Sequence, residues 1–477
     1  MMQSHFFKLF IPLLIFISCS NHQPTNDNSV KEAAKDSITK SILSSVDSFP
    51  TGKVIKNISC KNDASQSYAL YIPLKKNNLP LPVIYFFDPH ADGSLPLNKY
   101  KSLADKFGFI FIGSNNSKNG NDYPIAENIW QHLFTDTKSR INIEVSRVYV
   151  CGFSGGAKVA GYLALNHPEI KSVIANSAAL PDGTPASNFN FSFTGLTGDG
   201  DMNMTNVVSF CNDLDKTNTR HRIIIFNGKH AWAPETTMGI AFEGLILDAM
   251  RNKQITVDDN FIKNYISESK KRIDGFALKK NFIKADDECK LSINMLDGLT
   301  DQILFFKEKH ANISANAVYQ KQIIRAQQLF ATEEKTKENY QQQFQSGTLA
   351  YWKKEIAELN VKAKPKTEEG AMNNRLLAYL SLAFYSISNN LIHSNQNEAA
   401  AYYVELYKLA DPTNSEAWYF SAIINARKND IKATENDLLK AIENGFYDKE
   451  RMKQQSEFQS LHINFSEMEK KMKSSIS

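Results

Sequence analysis

From about residue 51, short apolar runs alternate with segments whose apolar residues recur at helical spacing, and the alternation continues to about residue 252. Val54–Cys60 and Tyr68–Ile72 predict two antiparallel entry strands. Pro82–Phe87 is apolar without interruption, as a strand buried on both faces must be. Phe109–Gly113, Arg147–Cys151, Ser172–Ala175, Phe191–Leu196 and Ile223–Phe226 predict further strands. Helices are predicted over Asn98–Phe107, Ile125–Arg140, Gly156–Asn166, Asn203–Lys216 and Pro234–Arg251. Strands that alternate with helices in this way imply an α/β class and a mainly parallel sheet covered on both faces.

Beyond Arg251 no strand pattern returns. Val257–Asp274 and Lys279–Leu296 carry apolar residues at helical spacing, and Ala311–Leu359 continues as long Gln- and Lys-rich helices. Residues 253–370 are therefore a helical connector and 371–477 a second all-α domain. Within Ser381–Phe446, Ala400 and Asp411-Pro412 close one helical hairpin, and Trp418, Ala422, Leu438 and Ala441 fall where the next would place its packing residues. This stretch resembles degenerate tetratricopeptide repeats, whose stacked hairpins expose a concave surface for a peptide or protein partner. An all-helical packing module without a ligand fits the same pattern, and Trp418 reads as a core residue.

The chain start has another character. Lys8 precedes the apolar Leu9–Ile17, which contains Pro12 and is too short to span a bilayer as a helix, so residues 1–19 read as an export signal. Ser18-Cys19-Ser20 resembles the lipobox of bacterial lipoproteins, with Phe16 where leucine is usual. The resemblance implies acylation of Cys19 and membrane attachment in the bacterial cell envelope. Residues 20–50 are polar and suit a flexible tether.

With 477 residues the chain exceeds one ordinary core. Its net charge of +4 is small for that length and gives no reason to expect nucleic acid as a partner. After Cys19, the cysteines Cys60, Cys151, Cys211 and Cys289 match no metal site by spacing, so no metal is expected.

The candidate chemistry centres on Gly152-Phe153-Ser154-Gly155-Gly156, between a predicted strand and a predicted helix. Gly-x-Ser-x-Gly in that context is the pattern of a nucleophile elbow, with the serine at the apex of a strained turn. A glycine-rich turn of this kind could also bind phosphate, so the assignment needs a base and an acid. His230, just after the last predicted strand in Asn227-Gly228-Lys229-His230-Ala231-Trp232, is the candidate base. The loop Gly198-Asp199-Gly200-Asp201 offers two carboxylates, and Asp201 could equally cap the helix that follows.

Taken together, the elbow, the Gly198-x-x-Asp201 loop and His230-x-Trp232 resemble the α/β-hydrolase superfamily over residues 51–252. The nearest likeness is to serine esterases grouped with polyhydroxybutyrate depolymerases and feruloyl or acetylxylan esterases. The resemblance implies Ser154 as nucleophile, Asp201 as acid in preference to Asp199, and His230 as base. It also implies an oxyanion hole built from backbone N–H groups, one of them Gly155. The second falls in Asp88-Pro89-His90-Ala91-Asp92-Gly93, where relatives carry His-Gly; Pro89 has no N–H, which leaves His90.

These readings give a serine esterase that works through an acyl-enzyme without a cofactor. Asn176–Asn190 is too short for a lid, and an open site suits a bulky or polymeric ester. A serine peptidase or acyltransferase is the alternative within enzymes. A non-catalytic surface lipoprotein using the fold as scaffold is the alternative outside them. The division also predicts that residues 51–252 work alone, unless the helices cover the apolar face of Ile240–Met250.

Overall fold

Period-two alternation on the central strand organises the molecule. In the computed structural model, which describes residues 47–74 and 79–474, strand β3 (Leu81–Phe87) sends Val83, Tyr85 and Phe87 into one core and Ile84 and Phe86 into the other. Successive side chains of a strand point to opposite faces, so an uninterrupted apolar run requires cover on both sides.

Around β3 stand β1 (Ile55–Ser59), β2 (Ser67–Tyr71), β4 (Ile110–Ser114), β5 (Ile143–Phe153), β6 (Ile170–Asn176), β7 (Ser192–Gly198) and β8 (His221–Phe226), in the order β1-β2-β4-β3-β5-β6-β7-β8. The β1–β2 and β2–β4 pairs are antiparallel and the pairs from β4 to β8 are parallel. This is the α/β-hydrolase arrangement. The β3–β5 register pairs Val83 with Val148 and Phe87 with Gly152, which brings the end of β3 beside the turn at Ser154.

Helices cover both faces. Trp130 and Leu133 of α2 (Tyr123–Arg140), with Ala157, Ala160 and Leu163 of α3 (Gly155–Asn166), pack in one core. Leu97 and Tyr100 of α1 (Ser94–Phe107), with Met238, Phe242 and Leu245 of α5 (Glu235–Arg251), pack in the other. Helix α1 begins at Ser94 rather than Asn98, because the Asp92 carboxylate accepts from the backbone N–H groups of Ser94 and Leu95. Helix α2 starts earlier than predicted for a similar reason. Asp122 caps it by accepting from Ile125 N–H, and Pro124 fits the first turn. Helix α4 (Met204–Leu214) follows β7.

The helical half begins with α6 (Asp259–Leu278), α7 (Phe282–Leu296) and α8 (Ile303–Ser314). It continues through α9 (Ala317–Ser346), α10 (Leu349–Lys362), α11 (Glu368–His393), α12 (Asn397–Ala410), α13 (Ser415–Arg427) and α14 (Ile431–Glu443). The long run predicted over Ala311–Leu359 is divided, because Asn316 and Thr348 cap new helices through their side chains. Trp352, Phe384, Tyr419 and Phe420 lie in the core of this half, whereas Trp418 only packs partly against it and donates from Nε1 to Pro412 O.

The two halves are joined by buried contacts. The described residues from Ser48 onward fold as one compact unit. Leu247 and Met250 at the end of α5 share a core with Ile262, Tyr265, Cys289, Met295 and Phe306, and Ile240 packs against it. The edge strand β8 is covered as well, since Asn294 Nδ2 donates to His221 O at 2.8 Å and Arg220 Nη1 to Asn294 O at 2.9 Å. An uncovered edge and an exposed apolar face both promote association. The helices thus cover the apolar face of Ile240–Met250, and residues 51–252 should not work alone. A chain ending at residue 252 should be recovered mainly as aggregate, with size-exclusion chromatography as the measurement. A soluble, monomeric and folded shortened chain would contradict the shared core.

Candidate active site

Three loops at the carboxyl ends of β5, β7 and β8 meet above the sheet. Ser154 stands between β5 and α3 with φ +53° and ψ −121°, a conformation that costs an L-residue energy and is held by its surroundings. The surroundings are backbone. A Cβ on Gly152 would stand 2.1 Å from Gly156 O, and one on Gly156 would stand 2.0 Å from Phe87 O, so strand, turn and helix pass at a distance only glycine permits. Ser154 N–H donates to Asn176 O at 2.8 Å, which ties the turn to the end of β6.

His230 follows β8 and is bonded on both ring nitrogens. Nε2 lies 3.0 Å from Ser154 Oγ, and Nδ1 lies 3.0 Å from Asp201 Oδ1. Its ring also packs against Phe153, with centroids 4.8 Å apart. Asp201 is fully buried. Its Oδ1 also accepts from Asn203 N–H at 2.8 Å, and its Oδ2 has no hydrogen-bond partner among the described residues. A carboxylate bonded to Nδ1 fixes the orientation of the ring and turns Nε2 toward the serine hydroxyl.

The second carboxylate of the loop serves elsewhere. Asp199 Oδ1 accepts from Gly228 N–H at 3.2 Å, and its Oδ2 lies 3.3 Å from Lys284 Nζ of α7. It therefore joins the loop after β7 to the loop after β8. The two loops touch closely enough that a Cβ on Gly198 would stand 2.3 Å from Gly228 O.

Of the expected oxyanion donors, Gly155 opens α3, where the first N–H groups have no intrahelical acceptor. The expectation for His90 differs from what the loop after β3 shows. His90 N–H donates to Asp88 Oδ1 at 2.9 Å, and Ala91 N–H donates to Asp88 O at 3.2 Å, so both are engaged within their own turn. The departure at Asp88-Pro89 has a structural purpose instead. Asp88 Oδ2 accepts from Trp232 Nε1 at 2.8 Å, which fastens the loop after β3 to the loop that carries His230. Burial alone would raise the Asp88 pKa, but the bonds from His90 and Trp232 outweigh it and hold the carboxyl below the usual range. The His90 ring is pushed upward, chiefly by its bond to Asp88, with smaller contributions from Asp92 and Glu416.

Two polar side chains at the site gave no signal in the sequence. Asn176, fully buried, donates from Nδ2 to Ala231 O and accepts at Oδ1 from Ala233 N–H, bracing the base loop. Asn119 approaches the nucleophile turn so closely that a Cβ on Gly155 would stand 2.0 Å from its Oδ1. Asn176 is distinguished only by its burial at the end of β6, and Asn119 lies in an exposed loop without pattern.

Residues 177–190 form neither helix nor strand. No cluster of His, Cys, Asp or Glu that could hold a metal ion occurs among the described residues. The four cysteines after Cys19 are free and buried.

No family model matches the chain. In sequence it is similar to the probable acetylxylan esterase A of Aspergillus fumigatus, at 23% identity over 205 residues, which are 40% of this chain and 50% of that protein. The chain thus spans about half the length of the curated relative it matches. Among solved structures it overlaps the esterase of Pyrobaculum calidifontis at 11% identity and TM-score 0.33, over 47% of this chain and 94% of that one. The feruloyl esterase module of Clostridium thermocellum overlaps at 14% identity and TM-score 0.32, over 40% of this chain and 84% of that one.

The different partners of the two carboxylates separate their effects. Asp201→Asn should lower ester turnover by roughly 10⁴-fold, the loss expected when the orienting carboxylate no longer holds the imidazole tautomer. Asp199→Asn should cost far less, because it only weakens a loop contact. Steady-state hydrolysis of a nitrophenyl acetate by both variants decides the matter, and an equal or reversed ranking would give the role to Asp199.

Proposed function

We propose that the protein is a serine hydrolase of carboxylic esters, with Ser154 as nucleophile, His230 as base and Asp201 as acid. One observation carries the reading: a chain of two 3.0 Å hydrogen bonds runs from Ser154 Oγ through both nitrogens of His230 to a fully buried carboxylate, at a serine with positive φ. In this reading Ser154 Oγ attacks the ester carbonyl carbon as its proton passes to His230 Nε2. The imidazolium returns that proton to the departing alkoxide as the C–O bond breaks. Water, deprotonated by the same nitrogen, then releases the acid from the acyl-enzyme.

The developing oxyanion takes one hydrogen bond from Gly155 N–H. Since His90 N–H is engaged by Asp88, the second donor in this reading is the carboxamide of Asn119, whose rotation about its terminal bond presents Nδ2 in place of Oδ1. The absence of a helical lid over residues 177–190 and the name of the acetylxylan esterase relative both favour a short acyl group on a bulky, polyhydroxylated alcohol. Export and attachment through Cys19 complete the reading; that residue lies outside the described ones. A peptide or protein partner for the helical hairpins rests on their sequence pattern alone.

Labelling with a fluorophosphonate probe tests the whole assignment. The wild-type chain should be labelled and Ser154→Ala should not, and His230→Ala should lower ester turnover by roughly 10³-fold or more. Wild-type protein that neither labels nor hydrolyses a short-chain ester would leave the scaffold reading in place. For the oxyanion site, Asn119→Ala should reduce kcat by about 10²-fold or more, the usual loss of one donor. A folded Asn119→Ala with wild-type kcat would remove Asn119 from the oxyanion site and return the role to a backbone N–H of the loop after β3.

A further inference from the structure

The loop that carries Asp201 is held from outside the hydrolase fold. Three basic side chains of the helical half reach it. Lys337 of α9 donates from Nζ to Met202 O at 2.9 Å and to Thr205 Oγ1 at 2.8 Å. Arg375 of α11 donates from Nη1 to Asp199 O at 2.8 Å. Lys284 of α7 meets the Asp199 carboxylate at 3.3 Å. These contacts fall on both sides of Asp201 in sequence.

Lys337 and Arg375 are themselves fixed. Both share Glu333, which is fully buried: Arg375 Nη2 lies 2.6 Å and its Nε 3.0 Å from Glu333 Oε2, and Lys337 Nζ lies 3.0 Å from Glu333 Oε1. The bidentate Arg–carboxylate pair sets direction as well as energy. Glu334 Oε1 lies 3.9 Å from Lys337 Nζ as well, so two cations face two carboxylates where only 6% of Lys337 and 7% of Arg375 is exposed. Ion pairs buried in this way hold their geometry firmly, because breaking one leaves an uncompensated charge. The remaining donors of both cations are directed at carbonyl oxygens on either side of Asp201, a buried carboxylate.

We propose that the helical half is a positioning element of the active site, and that Arg375 and Lys337, acting through the backbone of residues 199–205, hold Asp201 in line with His230. The proposal rests on the triad assigned above. It gives the helices a part in turnover in addition to any partner surface. A displacement of about 1 Å in a catalytic group can lower turnover by roughly 10²-fold, and backbone contacts of this kind control displacements of that size.

The test uses the full-length chain. Arg375→Ala should lower kcat by roughly 10- to 100-fold with KM changed less than about 3-fold, because substrate binding does not involve the loop's far side. Added guanidinium ion should restore part of the kcat of Arg375→Ala and none of that of Ser154→Ala. Thr205→Val, close in shape and lacking only the hydroxyl that Lys337 reaches, should show the same split on a smaller scale, about 3- to 10-fold. It serves if Arg375→Ala fails to fold, and folding of each variant is followed by near-ultraviolet circular dichroism. A folded Arg375→Ala with wild-type kcat, or a folded Thr205→Val with wild-type kcat, would overturn the proposal. So would a loss that appears in KM alone. Fluorophosphonate labelling of the wild type in the same experiment separates this failure from that of the triad itself: labelled wild type with indifferent variants removes only the positioning role.

Discussion

Burial of the Asp201 carboxylate is the constraint on which the site depends. A charge removed from water must be met by donors and countercharge in place before any substrate arrives. Asp201 receives His230 Nδ1 and Asn203 N–H on one oxygen and, among the described residues, no hydrogen bond on the other. An environment so sparse is stable only if the loop cannot move to find water, and most of the contacts around it serve to prevent that. Gly198 and Gly200 press against the Gly228 loop, Asn203 Nδ2 reaches Ser177 O at 2.9 Å, and the helical half grips residues 199, 202 and 205.

What was legible in the sequence follows from how local each determinant is. The elbow could be read because its strand, glycines and helix are contiguous, although only Gly152 is demanded by atoms a few residues away, while Gly155 faces Asn119 and Gly156 faces Phe87. The parallel sheet could be read because each buried strand declares itself by an apolar run. His230 was found by its place after the last strand. The choice between Asp199 and Asp201 could only be argued from family spacing, since both lie in one loop and differ only in what they meet: Gly228 and Lys284 for the first, His230 for the second.

The contacts that escaped the sequence are those that join distant segments. Asp88 and Trp232 are separated by 144 positions, and Arg375 and Asp199 by 176. No periodicity or motif links such pairs. Their polar types even mislead in isolation: Asp88 looks like a defect in an oxyanion loop, and Glu333, Lys337 and Arg375 look like the solvated face of two helices. Each is buried, and burial turns an ordinary surface residue into a structural one because its charge then has to be answered. The same reasoning explains why the helical half did not read as part of the hydrolase. Its apolar stripe accounts for packing, but the few charged residues that enter the site carry no pattern.

The place where the helices attach is also the place where the sheet offers least support. The turn at Ser154 follows β5, near the middle of the sheet, with β3 and β6 on its flanks and glycine backbones interlocked around it. The loop with His230 follows the edge strand but is fastened inward by Asn176 and by Trp232 on Asp88. The loop with Asp201 follows β7, one strand from the edge, and among the described residues the sheet has no further strand beyond β8 to lean on. A loop in that position gains rigidity only from its neighbour or from added structure. In this chain the added structure is α7, whose Asn294 covers the edge of β8, together with α9 and α11; all three supply cations to the loop that carries Asp201. Closing an open sheet edge and fixing a buried carboxylate are thus met by one packing arrangement. Variants that loosen α7, α9 or α11 should therefore affect both stability and turnover.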